Sequence, residues 1–134
     1  MAKESGIPMS IAVDASGGSA RTISNGITDF SFATPRNVQV ITGLDKSAEE
    51  RLQLLADFTI TVGGPFDDAS NVSHAVFSTV PSSSVARTVT ITVSGQSLPN
   101  ETFFNDYAFT RPMTGELTWS CPGSLANGTV PTWA

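Results

Sequence analysis

A mainly β fold, an antiparallel sandwich or barrel carrying one short amphipathic helix, is what this chain predicts. Three observations point to it. Short segments of alternating apolar and polar residues recur along the length, and Gly, Pro, Asn and Ser clusters separate them. One stretch, Ser47 to Ala56, breaks the alternation with helical spacing. At 134 residues the chain matches one domain, large enough to bury a core without disulfide or metal staples.

The elements follow in order. Met9 to Val13 alternates and runs into Asp14-Ala-Ser-Gly-Gly-Ser19, which reads as a hairpin tip. Ser24-Asn-Gly26 is a second turn. Ile27 to Ala33 places Phe30 and Phe32 on one face, the expected core-facing pair, until Pro35 breaks the run. Val38 to Thr42 is short, β-branched and closed by Gly43.

The predicted helix spans about Ser47–Ala56. Ser47 and Glu50 form a capping box, in which the hydroxyl accepts from the N3 amide and the carboxylate from the N-cap amide. Ala48, Leu52, Leu55 and Ala56 then gather on one side, with Arg51 and Leu54 flanking them. Phe58, Ile60 and Val62 alternate with Thr59, Thr61 and Gly63 in the cleanest strand pattern of the chain, which Gly63-Gly-Pro65 is expected to stop. Phe66 to Ser73 reads as a polar loop, and His74 to Val80 fits a short helix or a strand equally well. Val85 to Val93 alternates up to a Ser94-Gly-Gln96 turn, with Arg87 expected to reach solvent. Phe103 to Thr110 and Gly115 to Ser120 are two further strands, and Asn127-Gly128 marks a turn in the tail.

Composition excludes several function classes. Only 14% of residues are charged while 40% are apolar, so little surface charge is available and association is expected. No run approaches the ~20 apolar residues of a membrane helix, so no membrane role is expected. The first residues lack the apolar block of a secretory signal, and folding in a cytoplasm is expected. Twelve carboxylates oppose seven Lys and Arg, a net charge of -5 that disfavours gripping nucleic acid through its phosphates.

Chemistry finds little to work with. Cys121 is the single cysteine and His74 the single histidine, so neither an internal disulfide nor a conventional zinc site can form. No Gly-x-Ser-x-Gly elbow presents a nucleophile to His74, and Cys121 reads as a small buried or interface thiol. Asp67, Asp68 and Asn71 lack the spacing of a calcium loop. Glu49 and Glu50 are adjacent and cannot flank a glycosidic bond as a pair. Sequons at Asn71, Asn100 and Asn127 carry no meaning without export. Neither catalytic residue, cofactor nor metal is expected, and the chain does not read as an enzyme.

The order of elements resembles the tail tube, or major tail, proteins of long-tailed bacteriophages. The resemblance lies in Arg21-Thr-Ile-Ser-Asn-Gly-Ile-Thr-Asp-Phe30, in Thr42 to Gly64, and in Arg87 to Val93 followed by Asn105-Asp-Tyr-Ala-Phe-Thr110 and Gly115-Glu-Leu-Thr-Trp-Ser120. It implies one tail-tube-like domain over residues 1–134 with N- and C-terminal arms, a subunit of a virion tail assembled in the host cytoplasm. Rings, usually of six subunits, would join their inner sheets into a barrel and stack into the conduit for DNA ejection. The implied partners are other copies, the tape measure, terminator and distal tail proteins, and genome DNA that passes without sequence-specific binding. On this pattern the ring contacts fall at the hairpin tip (Asp14, Ser16, Gly17), the loop from Gly64 to Ser73 (Gly64, Phe66, Asp67, Asp68, Asn71), and the termini, including Trp133. Two other classes compete. One is a capsid decoration or head-surface protein; the other is a carbohydrate-binding sandwich using Tyr107, Trp119 and Trp133 as stacking platforms.

Overall fold

The computed structural model describes residues 9–67, 69–70 and 72–134. Ten strands form one eight-stranded antiparallel sheet and a separate two-stranded hairpin. β1 (Ser10–Asp14) and β2 (Ala20–Thr22) form the first hairpin, and a 3-10 turn at Ser24–Gly26 leads to β3 (Asp29–Ala33). β4 (Arg36–Val40) and β5 (Arg51–Ala56) pair only with each other, and β6 (Thr59–Pro65) returns beside β3. After α1 (Ser73–Phe77) come β7 (Arg87–Val93), β8 (Gln96–Phe104), β9 (Ala108–Thr110) and β10 (Thr118–Leu125).

The large sheet runs β2-β1-β7-β8-β10-β6-β3, with β9 also on β10. β7 and β8 pair over seven residues and β10 and β6 over seven, yet β8 meets β10 through only Thr102, Phe103 and Phe104. The sheet turns a corner at that short joint. β2-β1-β7-β8 forms one half, β9-β10-β6-β3 the other, and both contribute to a single core of Ile11, Val13, Val89, Ile91 and Leu98 with Ile60, Val62, Trp119 and Cys121. The result is a sandwich folded from one sheet. Gly123 sits at the corner: a Cβ there would lie 2.8 Å from Thr102, 3.0 Å from Phe104 and 3.1 Å from Ile60.

Register follows side-chain alternation. Phe30 and Phe32 lie opposite Val62 and Ile60 and pack against the core from an edge strand, as the sequence leads one to expect. Phe58 is fully buried, and α1 contributes Val76 and Phe77, with Phe77 edge-on to Phe104 at 5.0 Å between ring centroids. The Ser94-Gly95 turn has positive φ at both central residues, 51° and 80°, the backbone twist that suits a two-residue hairpin loop.

Four expectations give way. Ser47–Ala56 is no helix: Arg51–Ala56 is strand β5, and Ser47 and Glu50 lie in the loop before it with no capping box. The Glu50 N–H instead donates to Thr42 Oγ1 at 2.8 Å, and its carboxylate pairs with Lys46 at 3.3 Å. Helix propensity is a weak force even for this Leu-rich stretch, and the β-branched partner Val38-Gln-Val40 supplies a ladder that overrides it. Gly63-Gly-Pro65 does not stop β6, because Gly63, Gly64 and Pro65 pair in register with Ser120, Trp119 and Thr118. Phe103–Thr110 is split between β8 and β9. β8 begins at Gln96 and passes through Pro99, which lies where β8 has no β10 neighbour and a missing N–H is tolerated. β10 likewise runs on through Pro122, between the β9 and β8 registers.

The fourth correction concerns Arg87. It is 1% exposed. Its Nη1 donates to the carbonyls of Asp14 (3.1 Å) and Val76 (3.0 Å), and Nη2 to Thr79 Oγ1 (2.8 Å). Val76 O is one of the terminal carbonyls of α1, so the guanidinium caps that helix while tying it to β1 and β7. Desolvation lowers its pKa, with Cys121 and then Asp14 opposing the shift.

Gly123→Ala should lower stability by about 1–3 kcal/mol through overpacking at the corner, read as a fall in the urea midpoint at unchanged slope. Arg87→Met should cost about 2–4 kcal/mol by stranding two buried carbonyls, and amide exchange over residues 73–80 should accelerate well beyond that of β10.

Candidate functional site

Every cleft and reactive side chain tests whether this sandwich holds chemistry. Cys121 is fully buried, and burial pushes its thiol up to about 12 against the opposing pull of Arg87. A thiol so held is no nucleophile. His74 Nδ1 lies 3.2 Å from Tyr107 Oη in an aromatic group, with the Phe66 ring 4.9 Å away. Burial, followed by Cys121, raises Tyr107 to about 12, so the phenol stays protonated and serves packing. Trp119 is buried and donates from Nε1 to the Pro65 carbonyl at 2.9 Å. Trp119 is therefore a core aromatic and Tyr107 is half-buried against it, which leaves Trp133 as the exposed member of a sugar-stacking platform. Trp133 is 47% exposed, its ring 6.2 Å from Phe32.

Glu49 pairs with Arg51, and Asn100, the middle sequon residue, is only 7% exposed and closed to modification. Among the described residues no group of three or more His, Cys, Asp or Glu is placed to hold a metal ion. Among the described residues no helix is long and apolar enough to cross a membrane. A shallow groove of about 510 Å³ lies across β3, β6, β10 and β9, with Asp29, Ser31, Thr61 and Ser120 on its rim and the side-chain-free Gly63 in its floor. It offers hydroxyls and one carboxylate, and no imidazole, thiol or amine.

What the fold does present is two sheet faces and their open edges. The outward faces of both half-sheets carry many small residues, Thr88, Thr90, Thr92 and Ser97 on one and Ser31, Thr61, Ser120 and Ser124 on the other, beside Glu101, Asp29 and the exposed Phe103. Register places no Lys or Arg on either face. One half ends in β2 and in β8, and β8 is partly sealed by the chain's own tail, where Ser97 and Ala134 exchange hydrogen bonds of 3.0 and 2.8 Å. The other half ends in β3 and β9, and among the described residues neither outer edge is paired. Such edges template further strand addition unless they are covered.

The sequence-singled contact residues scatter around this frame. Ser16 and Gly17 are exposed at the β1–β2 turn, and the Asp14 carbonyl is held by Arg87. Phe66 and Asp67 are half-buried beside α1, where Asp67 accepts from the His74 N–H (3.3 Å) through its carbonyl and from the Ala69 N–H (3.0 Å) through Oδ1. Gly64 is buried: a Cβ would fall 2.2 Å from the Gly26 carbonyl, so the residue serves close packing. Asp68, Asn71 and the N-terminal arm lie outside the described residues. The feature that sequence reasoning missed is β5 and its pairing with β4, hidden behind the helix assignment, whereas Val38 to Thr42 was read as a strand. Alternation in Val38-Gln-Val40 and Leu52-Gln-Leu54 was the available signal.

No family model and no curated protein matches the chain. Its fold, however, is shared over its full length with solved particle structures. A chain of the virion of a native gene transfer agent particle superposes with a TM-score of 0.80, covering 97% of this chain and 99% of that one at 14% identity. A chain of the tail of an empty gene transfer agent particle, refined helically with C6 symmetry, gives a TM-score of 0.75 with 98% of each chain covered at 14% identity. The class is thus a β-sandwich with a projecting hairpin. In particular it is the sandwich found in those virion and tail chains.

Iodoacetamide at pH 8 should leave Cys121 of the native protein unlabelled and modify it fully in urea. Because Cys121 and Tyr107 are raised above their unfolded values, the unfolded chain releases protons first as pH rises. Stability is therefore full below about pH 9 and should fall steadily toward pH 12, as thermal melts across that window would record.

Proposed function

We propose that this protein is a tail tube subunit, which polymerises into stacked, six-membered rings forming the conduit for DNA ejection. The observation that carries this reading is the end-to-end likeness to a chain of a C6 tail. Two properties of the chain support it. The free edges β3 and β9 stand at opposite sides of one four-stranded half-sheet, so a neighbour's β9 can continue the sheet beyond β3 and a ring of copies can close it. Either outward sheet face would give a lumen wall of hydroxyls and sparse carboxylates, without cations to hold phosphates. Genome DNA would slide past such a wall.

On the same reading the chain is a non-enzymatic virion component assembled in the host cytoplasm, and the tape measure, terminator and distal tail proteins are its further partners. Exposed Ser16 and Gly17, half-exposed Trp133, and Phe66 and Asp67 beside α1 are proposed ring contacts, together with Asp68 and Asn71 from the sequence.

Negative-stain electron microscopy of the purified chain over a concentration series should show hollow tubes or stacked rings with six-fold end views. Trimers or monomers that persist at high concentration and in the presence of preformed tail-tip complexes would favour a capsid decoration protein instead.

A further inference from the structure

The β4–β5 arm has two open faces. Residues opposite one another in an antiparallel pair share a face, so Val38 with Gln53 and Val40 with Arg51 lie on one side. Gln39 with Leu52, and Ile41, whose N–H donates to the Glu50 carbonyl at 2.9 Å, lie on the other. Exposure is nearly equal on the two: Val38 50% and Val40 54% against Ile41 49% and Leu52 51%. A hairpin lying on its own body would have one face dry, and neither is. Leu55, 89% exposed, lies beside the register irregularity at the base of the arm.

An isolated two-stranded ribbon with apolar side chains on both faces is marginal in water. Its own charges do not explain its exposure. Lys46 pairs with Glu50, Arg51 with Glu49, and Arg36 is spent on the Leu54 carbonyl and the Gln53 side chain. Residues 36–56 carry three Lys or Arg and three Asp or Glu, so the net charge of -5 falls entirely on the rest of the molecule. A neutral, internally paired arm can lie on the acidic body of another copy without charge repulsion.

We propose that the arm is clamped between two other copies of this chain, one covering the Val38/Val40 face and the other the Ile41/Leu52 face. The inference rests on the tube reading. The faces of a one-layer ribbon point in opposite directions, and a single rigid partner cannot cover both. Heterologous packing supplies two different neighbours to each copy, one within a ring and one in the next. The arm thereby couples ring closure to ring stacking.

The test compares Val38→Asp/Val40→Asp with Ile41→Asp/Leu52→Asp, and each with the matching Thr pair, by sedimentation velocity and electron microscopy. Both Asp pairs should keep the melting temperature of the unassembled subunit, because the arm lies outside the core. Each should raise the concentration needed for tubes by roughly tenfold or more, with the Thr pairs intermediate. The two Asp pairs should arrest at different species, one as closed rings and the other short of rings. Arrest of both at the same species would mean a single partner and would overturn the clamp, as would normal tubes from either pair. If the wild-type chain forms neither rings nor tubes, the tube reading itself fails; wild-type tubes with unaffected variants sink the clamp alone.

Discussion

Three residue pairs between β8 and β10 decide the shape of this molecule. Because that joint is short, one sheet folds back on itself and closes a core between its halves, with Gly123 leaving room for Thr102, Phe104 and Ile60 to meet. The corner also fixes which strand edges remain open. The tail partly seals β8, while β3 and β9 stay free on the opposite half. The open edges are thus set by how the sheet packs at its corner.

Arg87 performs the matching task beside that joint, on β7 opposite Thr102. A short helix such as α1 has little stability of its own, and its terminal carbonyls need partners. The guanidinium provides one at Val76 and reaches Asp14 and Thr79 at the same time, so helix, first strand and the strand that bears it are held at one point. Burying a cation without a carboxylate partner is costly, and the oriented carbonyl dipoles offset that cost. With α1 so held, Phe77 packs on Phe104 and Trp119, and these three rings are consumed as core. That consumption is why the sandwich offers neither a reactive pocket nor a stacking platform, and why function is sought at edges, faces and the arm.

Low charge and small polar residues acquire a physical meaning in this frame. Hydroxyl-covered sheet faces free of Lys and Arg neither grip a polyanion nor demand a counter-surface. Among the described residues, seven of the fourteen exposed large apolar side chains lie on the arm, at Val38, Val40, Ile41, Leu44, Leu52, Leu54 and Leu55.

Alternation and turn composition in the sequence were enough to define the mainly β class, the Asp14–Ser19 and Ser94–Gln96 turns and the inward packing of Phe30 and Phe32, because each depends on residues close along the chain. What it could not reveal depends on partners distant along the chain. Residues 51–56 have the composition of a helix and become a strand because Val38-Gln-Val40 lies beside them. Arg87 looks like a strand-end charge and is buried because three acceptors, one of them 73 positions away in the chain, converge on it. The sandwich corner, the free edges and the two-faced arm, on which the candidate site rests, exist only once the strands have paired. Local pattern records which way a side chain faces, and only the tertiary structure decides what it faces.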